Sequence, residues 1–188
     1  MPTIQEKKVA AGRDYEADDV LVVDRPDQLR ALADDLRATL IALLRERARS
    51  TQELAEQLEL PKGTVGHHLK VLERAGLIRV VRTRQVRALT EKYYGRVAWL
   101  FLIHSSDAPE AARPMAAALR RAANELEVIE GGPDVCVSGV LRVRLTPEDA
   151  RRFERRLEKL VQDMLAADSP SGREFVFPHA YFPRRADA

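Results

Sequence analysis

The spacing of apolar residues predicts a series of short helices in the first half of the chain. From Pro26 onward, leucines recur every three or four residues and make one helical stripe of about five turns. These positions are Leu29, Leu32, Leu36, Leu40, Leu43 and Leu44. A second helix is expected to begin at Ser50, because Ser50 and Glu53 have the spacing of a capping box. A third helix is expected to enter through Pro61 and to end at Gly76.

Strand and helix patterns alternate in the rest of the chain. The run 19–25 favours a short strand, and 77–89 favours a two-stranded ribbon that turns at Thr83-Arg84-Gln85. Residues 90–106 return to helical spacing. The later elements we expect are a helix over 109–130, a strand over 135–145, a helix that follows an N-cap at Thr146 and runs to about Ala167, and a last strand over 173–183.

These elements predict an α+β fold in three parts. Residues 1–19 lack periodicity and are interpreted as a flexible arm. Residues 20–104 have the order of a winged helix-turn-helix domain, in which two short helices precede a β-ribbon. Residues 109–183 form a small α-β-α-β unit, interpreted as a dimerisation or sensor domain.

Charge is concentrated in one short block. The whole chain carries a net charge of only +2, but residues 61–96 hold 9 basic and 2 acidic side chains, a balance of +7. The preceding 60 residues hold 9 basic and 13 acidic side chains. A basic block of this kind suits a polyanion such as double-stranded DNA.

The third helix and the ribbon supply the candidate DNA contacts. An α-helix fits the major groove, where its N-terminal side chains reach base edges, and arginines on a ribbon can bind phosphates. The candidate DNA-binding residues are Thr51, Lys62, Gly63, Thr64, His67, His68, Lys70, Arg82, Arg84 and Arg87.

The sequence resembles the ArsR-type winged helix-turn-helix regulators over residues 26–104. The resemblance is carried by ALADDLRATLIALL (31–44), TQELAEQLEL (51–60) and LTEKYYGRVAWLF (89–101). Its most specific part is GTVGHHLKVLERAGLI (63–78). It implies a dimeric winged helix with Thr64, His67 and His68 on the recognition helix and residues 80–88 in the wing.

Two positions depart from the pattern of that family. Pro61 stands where many relatives have Ser or Thr, so the usual side-chain cap of the recognition helix is absent. The stretch 51–60 contains neither cysteine nor histidine, whereas metal-responsive members carry a Cys-x-Cys-type site there. We therefore expect a member that does not sense a metal.

A ligand pocket is an open alternative to a plain apolar core or dimer seam. Its candidate lining residues are Trp99, Phe101, His104, Cys136, Phe177, His179 and Tyr181. Cys136 is the only cysteine, so an intrachain disulfide is excluded. Its apolar neighbours favour a small buried hydrophobe over a reactive thiol.

The sequence contains no constellation typical of an enzyme. It lacks a Gly-x-x-x-x-Gly-Lys phosphate loop and a Gly-x-Ser-x-Gly nucleophile elbow, so we expect no catalysis and no cofactor. There is no apolar run of membrane-spanning length and no apolar leader, which indicates a cytoplasmic protein with no membrane partner.

The predicted function is therefore that of a sequence-specific DNA-binding transcriptional regulator. We expect a homodimer that binds a palindromic operator, as a repressor, with a small organic effector as a further candidate partner. Two alternatives remain: a winged helix that docks on another protein, and a small-molecule-binding protein with weak or vestigial DNA contact. The charge of the basic block favours DNA over both.

Overall fold

The computed structural model describes residues 14–86, 89–103, 108–127, 140–169 and 171–183 of the 188-residue chain. Its elements, in chain order, are β1 (Asp18–Val23), α1 (Pro26–Leu32), α2 (Asp35–Glu46), β2 (Arg49–Ser50), α3 (Thr51–Gln57), α4 (Lys62–Arg74), β3 (Ile78–Val86), β4 (Leu89–Arg96), β5 (Ala98–Ile103), α5 (Ala108–Glu127) and α6 (Pro147–Ala166). The chain divides into two compact units, residues 1–117 and 118–188.

Two small sheets frame the first unit. The antiparallel sheet has the order β2-β4-β3, and its long β3–β4 pair runs from Ile78 opposite Arg96 to Val86 opposite Leu89. The second sheet is a parallel pair of β1 and β5. Together with the helices, these strands confirm the predicted α+β class.

The core of the first unit is built from the predicted leucine positions. Leu40 and Leu44 of α2, Leu54 of α3, and Leu69 and Leu72 of α4 are completely buried in one cluster. Burying a leucine side chain contributes roughly 1.5–3 kcal/mol. Leu40 and Leu44 of α2 are therefore covered by residues of their own chain.

The predicted single helix from Pro26 is divided in two. α1 ends at Leu32, and Asp34 is the N-cap of α2, where its carboxylate accepts a hydrogen bond from the Arg37 N–H at 2.9 Å. The leucine spacing of three or four residues continues across the break. Periodicity therefore misses the break, although an aspartate before an apolar run is itself a helix-start signal.

The prediction of a helix over 90–106 is wrong for its described part. β4 and β5 occupy 89–103, and β3 continues as a strand through the predicted turn at 83–85. The backbone groups of this segment are satisfied by pairing with β3 and β1. Tyr93 and Tyr94 face opposite sides of the sheet, as neighbouring residues of a strand do. Both are buried, because a hydrophobic cluster covers each side.

The predicted flexible arm is wrong from Asp14 onward. Tyr15 is only 8% exposed and packs in a small cluster with Ala48 and Tyr93. β1 begins at Asp18, one residue before the predicted strand. Residues 1–13 lie outside the described part of the chain.

The two predicted helices of the C-terminal part are present as α5 and α6. Thr146 caps α6 by accepting a hydrogen bond from the Asp149 N–H at 3.1 Å, as its position before a proline predicted. The two predicted strands are wrong where the structure describes them: 140–145 and 173–183 form no strand. Alternation alone does not make a strand, because a ladder needs a partner. Residues 135–139 lie outside the described part.

Candidate nucleic-acid interface

A tight turn joins α3 to α4. α3 begins with a complete capping box: the Ser50 hydroxyl accepts from the Glu53 N–H at 3.3 Å, and the Glu53 carboxylate accepts from the Ser50 N–H at 2.7 Å. After α3 the chain reverses through Glu59, whose φ of 53° lies in the left-handed region. Pro61 then stands at the N-cap of α4 without a side-chain cap hydrogen bond. This geometry confirms that a proline replaces the usual polar cap.

The recognition helix α4 has one apolar and one polar face. Val65, Leu69 and Leu72 are fully buried and hold α4 to the core. The opposite side is exposed and carries Lys62, Gly63, Thr64, His67, Lys70 and Arg74. Because the buried residues fix the rotation of the helix, the polar and basic side chains are held outward together.

The two glycines of α4 have different surroundings. A Cβ added at Gly63 would meet no atom within 4 Å, so the backbone there faces open space. A Cβ added at Gly66 would lie 3.6 Å from the Thr51 methyl group. Thr51 is half-buried in that contact, and it therefore helps to set the separation of α3 and α4.

His68 lies apart from the exposed face of α4. Its ring is half-buried, with Nδ1 3.6 Å from the carboxylate of Asp34, the residue that caps α2. The neighbouring His67 is exposed. The difference follows from the 100° rotation between successive helical residues. Of the two predicted recognition histidines, His67 is the one the structure presents outward.

The wing is the β3–β4 hairpin, and a β-bulge determines which side chains share a face. Val80 is opposite Tyr94 and Arg82 is opposite Tyr93, so Val81 is the extra residue. Residues three apart in a regular strand point to opposite faces. The bulge instead places Arg79 and Arg82 on the same face, together with Arg84 two residues further on. Arg87 lies outside the described residues.

The base of the wing is held by the residues just before β1. We call residues 14–16 the strap. Arg82 Nη1 donates to the Asp14 carboxylate at 2.9 Å, and Arg79 Nη2 donates to the Glu16 carbonyl at 3.0 Å. The Arg82 guanidinium also lies 4.6 Å from the centre of the Tyr93 ring. Sequence reasoning missed Asp14 and Tyr15, since an isolated tyrosine in a polar run carries no periodic signal.

Arg96, at the end of β4, is a buried cation. It is 6% exposed, its guanidinium lies 4.3 Å from the centre of the Phe101 ring, and none of the described residues accepts a hydrogen bond from its Nε. Burial lowers the pKa of Arg96 to about 10, so the group stays protonated at neutral pH. In the sequence, Arg96 is distinguished only as one of the cations of the basic block over residues 61–96.

The candidate pocket residues fall in different units. Trp99 is half-buried with its ring 4.9 Å from that of Tyr15, and Phe101 packs below Arg96 in the first unit. In the second unit, the rings of Phe177 and His179 stack at 5.3 Å, and the Tyr181 hydroxyl donates to the Ala150 carbonyl at 3.2 Å. His104 and Cys136 lie outside the described residues.

The described residues contain neither a metal-binding cluster nor a membrane-spanning helix. No group of three or more His, Cys, Asp or Glu side chains there is arranged to hold a metal ion. No helix in the same part of the chain is long and apolar enough to cross a membrane.

A capped helix pair, a recognition helix with a polar outer face and a two-stranded wing together define a winged helix-turn-helix domain. A family model described as a helix-turn-helix domain matches residues 32–81. The chain therefore carries a winged helix-turn-helix domain, as the sequence motifs indicated.

Among curated proteins, part of this chain is similar to the HTH-type transcriptional repressor SmtB of Mycobacterium tuberculosis. The two are 42% identical over 50 residues, which is 27% of this chain and 37% of that repressor. The chain thus spans little more than a third of the length of the curated relatives it matches.

Solved structures to which part of the chain is similar include two HlyU proteins. HlyU from Vibrio cholerae N16961 is 27% identical, with a TM-score of 0.33, over 51% of this chain and 87% of that one. HlyU from Vibrio vulnificus CMCP6 is 26% identical, with a TM-score of 0.32, over 52% and 83% of the two chains.

Proposed function

We propose that this chain is a sequence-specific DNA-binding transcriptional regulator in which α4 enters the major groove. The observation that supports this most directly is the two-faced recognition helix. Its buried leucines fix its rotation, and Lys62, Thr64 and His67 stand exposed in its first two turns. Side chains near the N-terminus of a recognition helix are the ones that reach base edges.

The wing supports the same proposal. Arg84 is exposed near the tip of β3, opposite Glu91 of β4, on the face shared with Arg79 and Arg82. An arginine in this position can bind a phosphate beside the groove that α4 occupies. Phosphate contacts fix register and orientation, whereas base contacts specify sequence.

Two further features belong to the proposal. A single recognition helix reads few base pairs, so we infer a homodimer on a palindromic operator with half-sites about one helical turn apart. Repression is the proposed outcome because the similar 50-residue segment belongs to a protein named as a transcriptional repressor. A small organic effector would release the operator if it bound the DNA-free state more tightly.

Selection of bound duplexes from a random DNA library tests this function. An enriched palindrome, bound less tightly as salt is raised, is the expected result. Loss of the His67 side chain should relax sequence preference, whereas Arg84→Ala should weaken binding to all duplexes alike. Arg113→Ala on α5 is the matched control, since it removes one exposed positive charge that belongs to neither α4 nor the wing.

A selection without enrichment would contradict the proposal. Binding that is indifferent to both sequence and salt would favour a winged helix that docks on another protein. Light scattering that gives the monomer mass of 21.2 kDa at micromolar concentration would contradict the homodimer alone.

A further inference from the structure

The strap formed by residues 14–16 covers one part of the wing. It contacts the two arginines at the base of β3 and lines, with Val80 and Val81, a groove of about 480 Å³. Arg84 is not among the residues of that groove. Three arginines that share one face of the wing thus have two different environments.

The Asp14 carboxylate is fixed independently of Arg82. Its Oδ2 atom accepts the Ala48 N–H at 2.8 Å, while its Oδ1 atom accepts from Arg82 at 2.9 Å. Ala48 is fully buried in the segment that connects α2 to β2. Because a backbone amide of the domain core holds the carboxylate, its negative charge stays beside Arg82 when another anion approaches.

Tyr15 anchors the strap to the sheet. Its hydroxyl accepts the Arg96 N–H at 3.0 Å and donates to the Leu44 carbonyl. Its ring covers Gly95, where an added Cβ would lie 2.7 Å from the nearest ring atom. The strap is therefore held by α2 and β4 together, and Asp14 and Glu16 are carried to the two arginines on either side of this anchor.

The guanidinium of Arg82 is engaged on two sides. Asp14 accepts from it, and the Tyr93 ring lies beneath it at 4.6 Å. A phosphate would have to displace the carboxylate or approach beside it, and like charges at such a distance repel. The formal charge that the Asp14–Arg82 pair presents to DNA is zero.

We propose that Asp14 is a positioning residue of the DNA interface, which holds Arg82 in the base of the wing and leaves phosphate binding to Arg84. This inference rests on the proposed function. The arginines of the wing thus have two roles. Arg79 and Arg82 bind the strap and stabilise the base of the wing, and Arg84 near the tip binds phosphate. Binding of DNA then depends on the strap only through the charge and orientation of the wing.

The salt dependence of DNA affinity measures this division, because each phosphate contact contributes about 0.9 to the slope of log affinity against log salt. Arg84→Gln should make the slope shallower by about that amount, whereas Arg82→Gln should leave it unchanged. Asp14→Asn keeps an acceptor for the Ala48 amide but releases Arg82. It should make the slope steeper by about 0.9, which is a roughly 3.5-fold larger loss of affinity between about 50 and 200 mM salt.

The double variant Asp14→Asn/Arg82→Gln is the closing control. Its slope should return to that of the wild type, since the residue released by the first change is removed by the second. Thermal unfolding of the full chain must show Asp14→Asn to be folded at the assay temperature. A stability defect alone would reduce the active fraction without steepening the slope.

The outcomes separate the two proposals. Wild-type protein whose binding ignores salt overturns the proposed function and this inference with it. Salt-dependent wild-type binding, combined with an Arg82→Gln slope as shallow as that of Arg84→Gln, overturns only the inference. An unchanged slope for folded Asp14→Asn overturns it equally.

Discussion

Gly95 lies beneath the ring of Tyr15, and its replacement by alanine should release the strap. An added Cβ would stand 2.7, 2.8 and 2.9 Å from three atoms of that ring, distances that real Cβ atoms do not tolerate. The ring has no easy retreat, because the Tyr15 hydroxyl bonds to groups on both α2 and β4. We therefore expect Gly95→Ala to expel Tyr15 from its site.

The expected loss follows from what Tyr15 contributes. Its side chain is 8% exposed and its hydroxyl makes two hydrogen bonds to the backbone. Removal of a buried aromatic side chain lowers the free energy of unfolding by about 3–5 kcal/mol. Alanine is slightly better than glycine in a strand interior, by roughly 0.5–1 kcal/mol. The net loss for Gly95→Ala should be about 3 kcal/mol.

Urea unfolding followed by the fluorescence of Trp99 measures this loss. Trp99 is the only tryptophan of the chain, and its ring lies 4.9 Å from that of Tyr15, so its signal reports on this site. Tyr15→Ala should cause a loss of similar size. In the Tyr15→Ala background, the further change Gly95→Ala should cause no loss and a gain of roughly 0.5–1 kcal/mol, because the atoms that the added Cβ would meet are gone.

Two results would refute the reasoning. One is a loss of less than about 1 kcal/mol for Gly95→Ala in the wild-type background, well below that expected for an expelled aromatic ring. The other is a full loss that persists when Tyr15 is already alanine. Gly63→Ala is the matched control, since its Cβ enters open space and should not lower stability.

Three more expectations follow from the same structure. Ser50→Ala should lower the free energy of unfolding by about 1 kcal/mol through loss of the α3 cap, and a loss near zero in urea unfolding would contradict the capping role. Gly63→Ala should not lower the melting temperature but should weaken DNA binding by about 1–3 kcal/mol, because the added methyl group would meet a duplex that the backbone of α4 approaches closely; unchanged affinity rules that approach out. Arg96→Met should change stability by no more than about 1 kcal/mol, because a buried guanidinium without an acceptor at Nε is replaced by an apolar chain. A loss above about 3 kcal/mol would show that Arg96 has a charged partner.

The parts of the domain that were predictable are those in which local chemistry decides. The Ser50 capping box, the Thr146 cap and the glycine with φ of 70° at position 76 were all visible as residue types at fixed offsets. The polar face of α4 was also predictable, because its buried positions recur with helical spacing. The prediction placed His68 on that face as well, whereas in the structure the His68 ring lies beside the Asp34 carboxylate. A contact between residues 34 positions apart has no signature in a single sequence.

The missed parts depend on pairing between distant segments. Residues 98–103 form a strand because β1 lies beside them, and their apolar spacing fits a helix equally well. The reverse error occurred at 173–183, where alternation predicted a strand and the described residues have no partner to form one. In both segments the side-chain pattern permits two structures, and the availability of a neighbouring strand selects between them.

The wing shows how a backbone irregularity can change the function of an unaltered sequence. If β3 were a regular strand, Arg79 and Arg82 would face opposite sides of the sheet. Arg82 would then be as good a phosphate ligand as Arg84. Because Val81 is an extra residue in β3, both arginines at the base of the wing face the strap. There Arg82 donates to the Asp14 carboxylate and Arg79 donates to the Glu16 carbonyl. The number and the spacing of the arginines in the sequence therefore indicate only how much positive charge a wing carries. In the proposed interface, the bulge at Val81 and the strap determine which arginines of the wing bind DNA.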